Sequence, residues 1–400
     1  MTKSQTQYFY RMQNPMQHYA WGTTEVLNSL FGIANPDGQP QAEIWMGAHI
    51  NGCSLVHETK TDQMIKLSDL LERNPELYLG KRVHRKFNQL PFLFKVLSAA
   101  QALSIQVHPS LEQARQGYAK ENEAGIDIKA PNRNYKDPNH KPELVFALTP
   151  YQAMNGFRPI PTIIQLFEKV NVSALATLLN TLKENQNEQG LAQFFTGVVG
   201  LNGADKHHAL EELLGYTRTH QDDPLCELID ELAQHYPDDT GLFAPLMLNV
   251  ITLQPGDAMF LYACTPHAYL KGTGLEIMAN SDNVIRAGLS PKHVDIPELL
   301  SCCEFISKDP EQLLIQPHQH GDSDIYHIPV DDFRFAVYQD CDERLSCDSA
   351  EIIFAIDANV QLTHSDGEIV TIHKGESVFI PAHTASYRLM TPGQVARAYC

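Results

Sequence analysis

Two hydrophobic periods divide the chain. Before residue 150, strand-like runs fall at 42–46, 91–97, 103–108 and 144–148, the one at 103–108 alternating with a period of two. In the cleanest run Ile105 and Val107 point one way, while Ser104, Gln106 and His108 point the other. Pro109 ends that run, because proline cannot donate to a ladder. A short helical signal at 66–71 interrupts the strands. From 161 to 237 the period becomes helical. Leu175, Leu178, Leu179 and Leu182 form one stripe, which Ser173 is placed to cap. Further stripes run through Phe194, Phe195, Val198 and Val199, through Leu210, Leu213 and Leu214, and through Leu225, Leu228, Ile229 and Leu232. Leucine stripes at this spacing are core packing. Strand character returns at 245–252, where Pro255, Gly256 and Asp257 then predict a tight turn between antiparallel strands. A short helix is expected at 296–302, and the remainder to Cys400 is β-rich.

One stretch echoes another. Aligning Gly256 with Gly375 gives, in both copies, a turn glycine, an acid and an apolar strand ending near a proline. Two related β-barrel modules account for the echo. His267 then falls opposite Ser386, so the second copy lacks this candidate metal ligand and is structural.

With 400 residues the chain is long enough for two or three domains. Its net charge of −18 disfavours nucleic acid and anionic membranes as partners. A phosphate-bearing substrate would therefore require a local cluster of cations. No signal peptide or bilayer-spanning run is expected. The eight cysteines show no zinc-finger spacing and read as reduced thiols in a cytoplasmic protein.

Three segments carry the candidate chemistry. Gln106 and His108 leave one strand face together, the simplest way for a sheet to present two metal ligands. The segment from Tyr135 to Glu143 crowds His140, Lys141 and Glu143 ahead of an apolar run; Glu143 can complete a metal site and Lys141 can face an anion. The third segment runs from His267 to Lys292 and packs polar groups among small and apolar residues. Its Arg286 and Lys292 are candidate phosphate clamps, one by fork geometry and one as a point charge.

The second and third segments resemble the two signatures of the type I phosphomannose isomerases: Asn139, His140, Lys141, Pro142 and Glu143 behind Tyr135 and Asp137, then His267 to Lys292 nearly throughout. Ser290 stands where the family usually has threonine. Tyr19, Ala20, Trp21 and Gly22, and residues 103–109, are also similar to the family. The resemblance implies a zinc-dependent aldose–ketose isomerase interconverting D-mannose 6-phosphate and D-fructose 6-phosphate. It implies one Zn2+ per chain on Gln106, His108, Glu143 and His267. It also implies a pocket holding Lys141, Glu276, Arg286 and Lys292, with Tyr269 nearby. The fold it implies is mainly β, with cupin-like β-barrel modules and an all-helical insertion. The expected divisions are a catalytic domain at 1–155 and 245–320, the insertion at 156–244 and a C-terminal β-rich domain at 321–400. A monomer that binds a small sugar phosphate is expected.

Isomerisation moves a proton between C2 and C1 through an enediol-type intermediate, and a metal stabilises the charge on the carbonyl oxygen. His140, Glu276 and Lys141 are the candidates for proton transfer, and Lys141 or Arg286 for oxyanion stabilisation. Ser104, on the face of Gln106, can donate to the phosphate. Lys95 is a further basic candidate, or a side chain reaching solvent. Two rivals share the scaffold. An iron oxygenase would want a facial site of two histidines and one carboxylate, which a fourth ligand at Gln106 opposes. A sugar-binding protein without activity would not need the full polar set.

Overall fold

The structure is a computed structural model that describes residues 6–292 and 294–400. These form two eleven-stranded sheets and a two-stranded ribbon, with helices distributed along the chain. The strands expected in the first part are present as Glu43–Met46, Phe92–Ala99, Ile105–Val107 and Glu143–Ala147. The helical segment contains Ile160–Val170, Ala176–Glu184, Glu188–Val199, Gly203–Thr219 and Pro224–His235. Ser173 caps nothing there; it begins a 3-10 turn that leads into Ala176–Glu184. The 245–252 stretch is half helix, Ala244–Met247, and half strand, Leu248–Leu253.

The expectation of a mainly β protein built from barrels is overturned: the fold is mixed α/β with open sheets. Beyond the two short helices expected outside the insertion, present as Leu67–Arg73 and Ile296–Cys302, helices lie at Pro75–Leu79, Lys81–Phe87 and Leu111–Glu123. In the C-terminal sheet the strand order runs from His318–His320 at one end to Gln63–Lys66 at the other, and these two ends do not pair. The first sheet likewise runs from Leu314–Ile315 to Met16–Gln17 without closing. Closure is one way to protect a sheet edge; exposed polar side chains are another. His318–His320 uses the second, being exposed at every position. The sheets bury their inner faces on each other. Phe94, Phe146 and Phe260 from one meet Phe335, Phe354 and Phe379 from the other in one core. Phe94 stands edge-on to Phe354, with ring centroids 6.4 Å apart.

The sequence echo has a structural counterpart in strand register. Glu143–Ala147 pairs with Ala258–Leu261 and with His267–Ala279. Glu351–Ala355 pairs in the same way with Ser377–Ile380 and Ala385–Tyr399. Glu143 lies opposite Leu261 as Glu351 lies opposite Ile380. The glycine turns do not join paired strands, as the sequence had suggested. Leu248–Leu253 pairs back onto Tyr151–Phe157, and Ile369–Ile372 onto Val360–Thr363. The helices from 160 to 247 therefore interrupt one hairpin whose counterpart in the second copy has a short turn. Their core includes Ile105, Val107, Ala268 and Ile285, so it backs the strands that carry the site.

Candidate metal centre and substrate pocket

Ile105 and Val107 bury into the helical core, which turns Gln106 and His108 to the opposite face. His267 lies directly opposite Gln106 on one neighbouring strand, and Arg286 lies opposite it on the other. Directly opposed residues share a face, so Gln106, His267 and Arg286 converge. Glu143 enters from the start of its strand. One nitrogen from each of His108 and His267 and one oxygen of Glu143 lie within 4.8 Å of one another, all buried.

The hydrogen bonds behind these rings assign their tautomers. His108 Nδ1 donates to the carbonyl of Asn283 at 2.8 Å, and His267 Nδ1 donates to the carbonyl of Thr265 at 2.9 Å. Each Nε2 is then a lone pair, and both are buried without a hydrogen bond. His108 Nε2 approaches Glu143 Oε1 at 3.1 Å without hydrogen-bond geometry, and His267 Nε2 lies 3.9 Å from Oε2. Lone pairs facing a carboxylate in a dry interior are stable only around a cation. The donor set fits a divalent metal. Burial, with Lys141 adding to it, lowers the His108 pKa; burial, with His108 adding to it, lowers His267 to about 3. Burial pushes Glu143 up, but Lys141 and His108 outweigh it and hold the carboxyl well below its usual range.

Around this centre, Lys141 Nζ lies 3.0 Å from Glu143 Oε1, and the Tyr269 hydroxyl donates to Oε2 at 2.9 Å. Glu276 lies opposite Val145, on the face it shares with Glu143. Lys95, opposite Glu276, is buried with its Nζ 2.8 Å from Glu276 Oε2 and 3.8 Å from Glu43 Oε1, over the ring of Trp45. It does not reach solvent. Burial works against its charge, but Glu276 and Glu43 outweigh that and raise its pKa. Burial raises Glu276 to about 7 against the pull of Lys95. Arg286 is half-buried and its pKa is lowered by burial. Lys292 is lowered first by Arg286, then by burial and by Lys136, so three cations share one region.

His140 is placed differently from the other candidates. Its Nε2 is 3.0 Å from Asp332 Oδ2, at the approach to the C-terminal sheet. Ser104 is half-buried just ahead of the strand Ile105–Val107. Reading by residue type passed over Lys136, Asn283 and Thr265. Lys136 lies inside the quoted signature, while Asn283 and Thr265 act partly through backbone carbonyls, which no sequence pattern marks.

Family models described as the phosphomannose isomerase type I catalytic domain and helical insertion domain match residues 9–160 and 166–248. A model described as the mannose-6-phosphate isomerase cupin domain matches 323–400. The mannose-6-phosphate isomerase of Escherichia coli K12 is 44% identical over 391 residues, covering 97% of this chain and 99% of that protein. The human mannose-6-phosphate isomerase is 35% identical over 424 residues, covering 96% and 97%.

The chain belongs to the type I phosphomannose isomerase family.

It is an enzyme of the isomerase class. Among solved structures of the family, a point mutant of the Salmonella typhimurium phosphomannose isomerase superposes with a TM-score of 0.94 at 43% identity, covering 98% of this chain and 99% of that one. A zinc-bound mannose 6-phosphate isomerase superposes with a TM-score of 0.93 at 44% identity and the same coverage. Among the described residues no helix is long and apolar enough to cross a membrane.

Proposed function

We propose that this isomerase interconverts D-mannose 6-phosphate and D-fructose 6-phosphate with Zn2+ as its metal. One observation carries the reading: two histidine lone pairs and a carboxylate converge in a buried site beside a cluster of cations in a chain of net charge −18. The zinc-bound relative supports the choice of metal. Gln106, His108, Glu143 and His267 hold the ion, and two imidazoles with one carboxylate leave it net positive. When bound, the metal supplies Lewis-acid stabilisation of charge developing on the substrate's carbonyl oxygen.

The chain's own groups do the rest. Arg286 and Lys292 hold the phosphate, with Ser104 as a hydroxyl donor. Glu276, poised near neutrality, takes the carbon-bound proton and returns it to the neighbouring carbon through an enediol-type intermediate. Lys95 tunes Glu276 from behind. Lys141 stands beside Glu143, where it can donate to the substrate oxygen that gains charge. The Tyr269 hydroxyl holds Glu143 in its rotamer.

A coupled assay with mannose 6-phosphate, run after chelation and again after stepwise zinc return, tests the reading. Activity should disappear and reappear with about one zinc per chain. A protein carrying one zinc and turning over no mannose 6-phosphate would end it; stoichiometric iron with oxygen uptake would favour an oxygenase.

A further inference from the structure

The elements of the site meet at Asn283, which is fully buried. Its backbone carbonyl accepts the Nδ1 proton of His108 at 2.8 Å. Its side-chain oxygen accepts from the backbone N–H groups of Lys136 at 2.7 Å and Asp137 at 3.3 Å. Its side-chain nitrogen donates to the carbonyls of Asp137 at 2.7 Å and Asn139 at 2.9 Å. Its own N–H donates to the Ser281 hydroxyl at 3.2 Å, and that hydroxyl donates to the Asn139 carbonyl at 3.2 Å. The segment so gripped has no regular secondary structure between the end of the helix Leu111–Glu123 and the strand Glu143–Ala147. These bonds hold its backbone at Lys136, Asp137 and Asn139, while the Glu121 carboxylate holds Asn134 and Tyr135 ahead of them. Asparagine suits the position because its short side chain offers an acceptor and two donors at once.

We infer that Asn283 is a positioning residue of this active site: its carbonyl holds His108 with Nε2 free, and its carboxamide holds the backbone that aims Lys141 and Glu143. The inference rests on the reading of His108, Glu143 and His267 as metal ligands. A nearby pair, exposed Asn51 and half-buried Asp282, shows what a merely local anchor looks like. Asn51 bonds Asp282 at 2.8 Å and touches neither His108 nor the 136–143 segment through that bond. Asn283 joins both.

The test uses the full chain with two substitutions at this position. Asn283→Asp keeps the acceptor for Lys136 and Asp137 but sets a negative charge against two carbonyls; Asn283→Ala loses every side-chain bond. Three readouts are taken: hydrogen exchange of residues 136–143 in metal-free protein, zinc affinity by competition with a chromogenic chelator, and kcat and KM with zinc saturating. Both variants should melt cooperatively and exchange faster over 136–143. Zinc affinity should fall on the order of 10–100-fold, and kcat by a similar factor. KM for mannose 6-phosphate should rise by no more than about tenfold, through Lys136 on the loosened segment, because the strand carrying Arg286 keeps its own pairing with Ile105–Val107. Asn51→Ala should match the parent in all three. A folded Asn283→Asp with parental zinc affinity and kcat overturns the inference, whatever Asn283→Ala does. If the parent itself binds no zinc and turns nothing over, the proposed function has failed. Exchange over 136–143 then decides on its own: unchanged exchange in the variants overturns the positioning role.

Discussion

Glu276 and Arg397 occupy the same point in two copies of one strand pattern. Glu276 lies opposite Val145, two residues after Glu143, and Arg397 lies opposite Ile353, two residues after Glu351. Each first carboxylate also accepts from a tyrosine: Tyr269 donates to Glu143 at 2.9 Å and Tyr387 donates to Glu351 at 2.7 Å. In the first copy two carboxylates share a buried face and require cations, which Lys95, Lys141 and a metal supply. In the second, Arg397 neutralises Glu351 directly, with Nε–Oε2 at 2.9 Å and a further bond to the Tyr338 hydroxyl at 3.2 Å. This exchange of charge leaves the second site balanced without an ion, and the second copy also lacks a counterpart of His267.

That balance makes Arg397→Met costly. It leaves Glu351 buried and unpaired, a loss of about 3–5 kcal/mol. The double change Glu351→Gln with Arg397→Met removes both charges and should recover most of it. Chemical denaturation of the three proteins checks this; a single variant within about 0.5 kcal/mol of the parent would refute the pairing.

The pair Glu276 and Lys95 predicts a pH profile. Glu276 titrates near 7, raised by burial and held down by Lys95. As the proposed base it must be ionised, so kcat/KM should rise with pH through an apparent pKa near 7. Lys95→Met removes the cation that favours the ionised form, so the acid limb should move to higher pH. Lowering of that limb, or no change, would remove Glu276 from the role. The same raised pKa affects stability: the folded protein holds a proton that the unfolded chain releases near 4.5, so this group's contribution falls as pH rises from about 4.5 to 7. Glu276→Gln should flatten that slope.

His140 gives a contrasting expectation. Its ring is held by Asp332 at 3.0 Å, away from the metal-ligand atoms. His140→Gln should keep kcat within about threefold of the parent while modestly lowering the melting temperature. A loss of a hundredfold or more in kcat with the fold intact would return His140 to the chemistry.

Much of this was legible in the residues, and the gaps have physical causes. Alternation at 103–108 set the face of Gln106 and His108 correctly, because a strand's period leaves no choice once Ile105 and Val107 seek a core. The signatures brought Glu143 and His267 to the same place. Alternation cannot say whether a sheet closes, since edge pairing depends on strand order and not on period, and so the barrels were expected where open sheets stand. Lys95 looked equivocal because its partners, Glu43 and Glu276, are distant in sequence. The pairing of Arg397 with Glu351 was equally invisible, and so was the grip of Asn283 on the 136–143 segment.

Lys136 supplies the last prediction. Arg286, burial and Lys136, in that order, lower the Lys292 pKa, and burial alone lowers that of Arg286. Among the described residues none of the three is in an ion pair with an acid; crowded cations of this kind repel one another until an anion arrives, and binding a phosphate dianion relieves the repulsion. Lys136→Ala should therefore raise KM for mannose 6-phosphate about tenfold, on the order of 1.4 kcal/mol, with kcat nearly unchanged. Inhibition by inorganic phosphate should weaken in parallel, and the dependence of KM on ionic strength should flatten because one screened charge has gone. Lys292 should then titrate at higher pH, because a like charge has been removed from beside it. If the substitution leaves KM, phosphate inhibition and salt dependence as they were, Lys136 faces solvent and the phosphate is held by Arg286 and Lys292 without it.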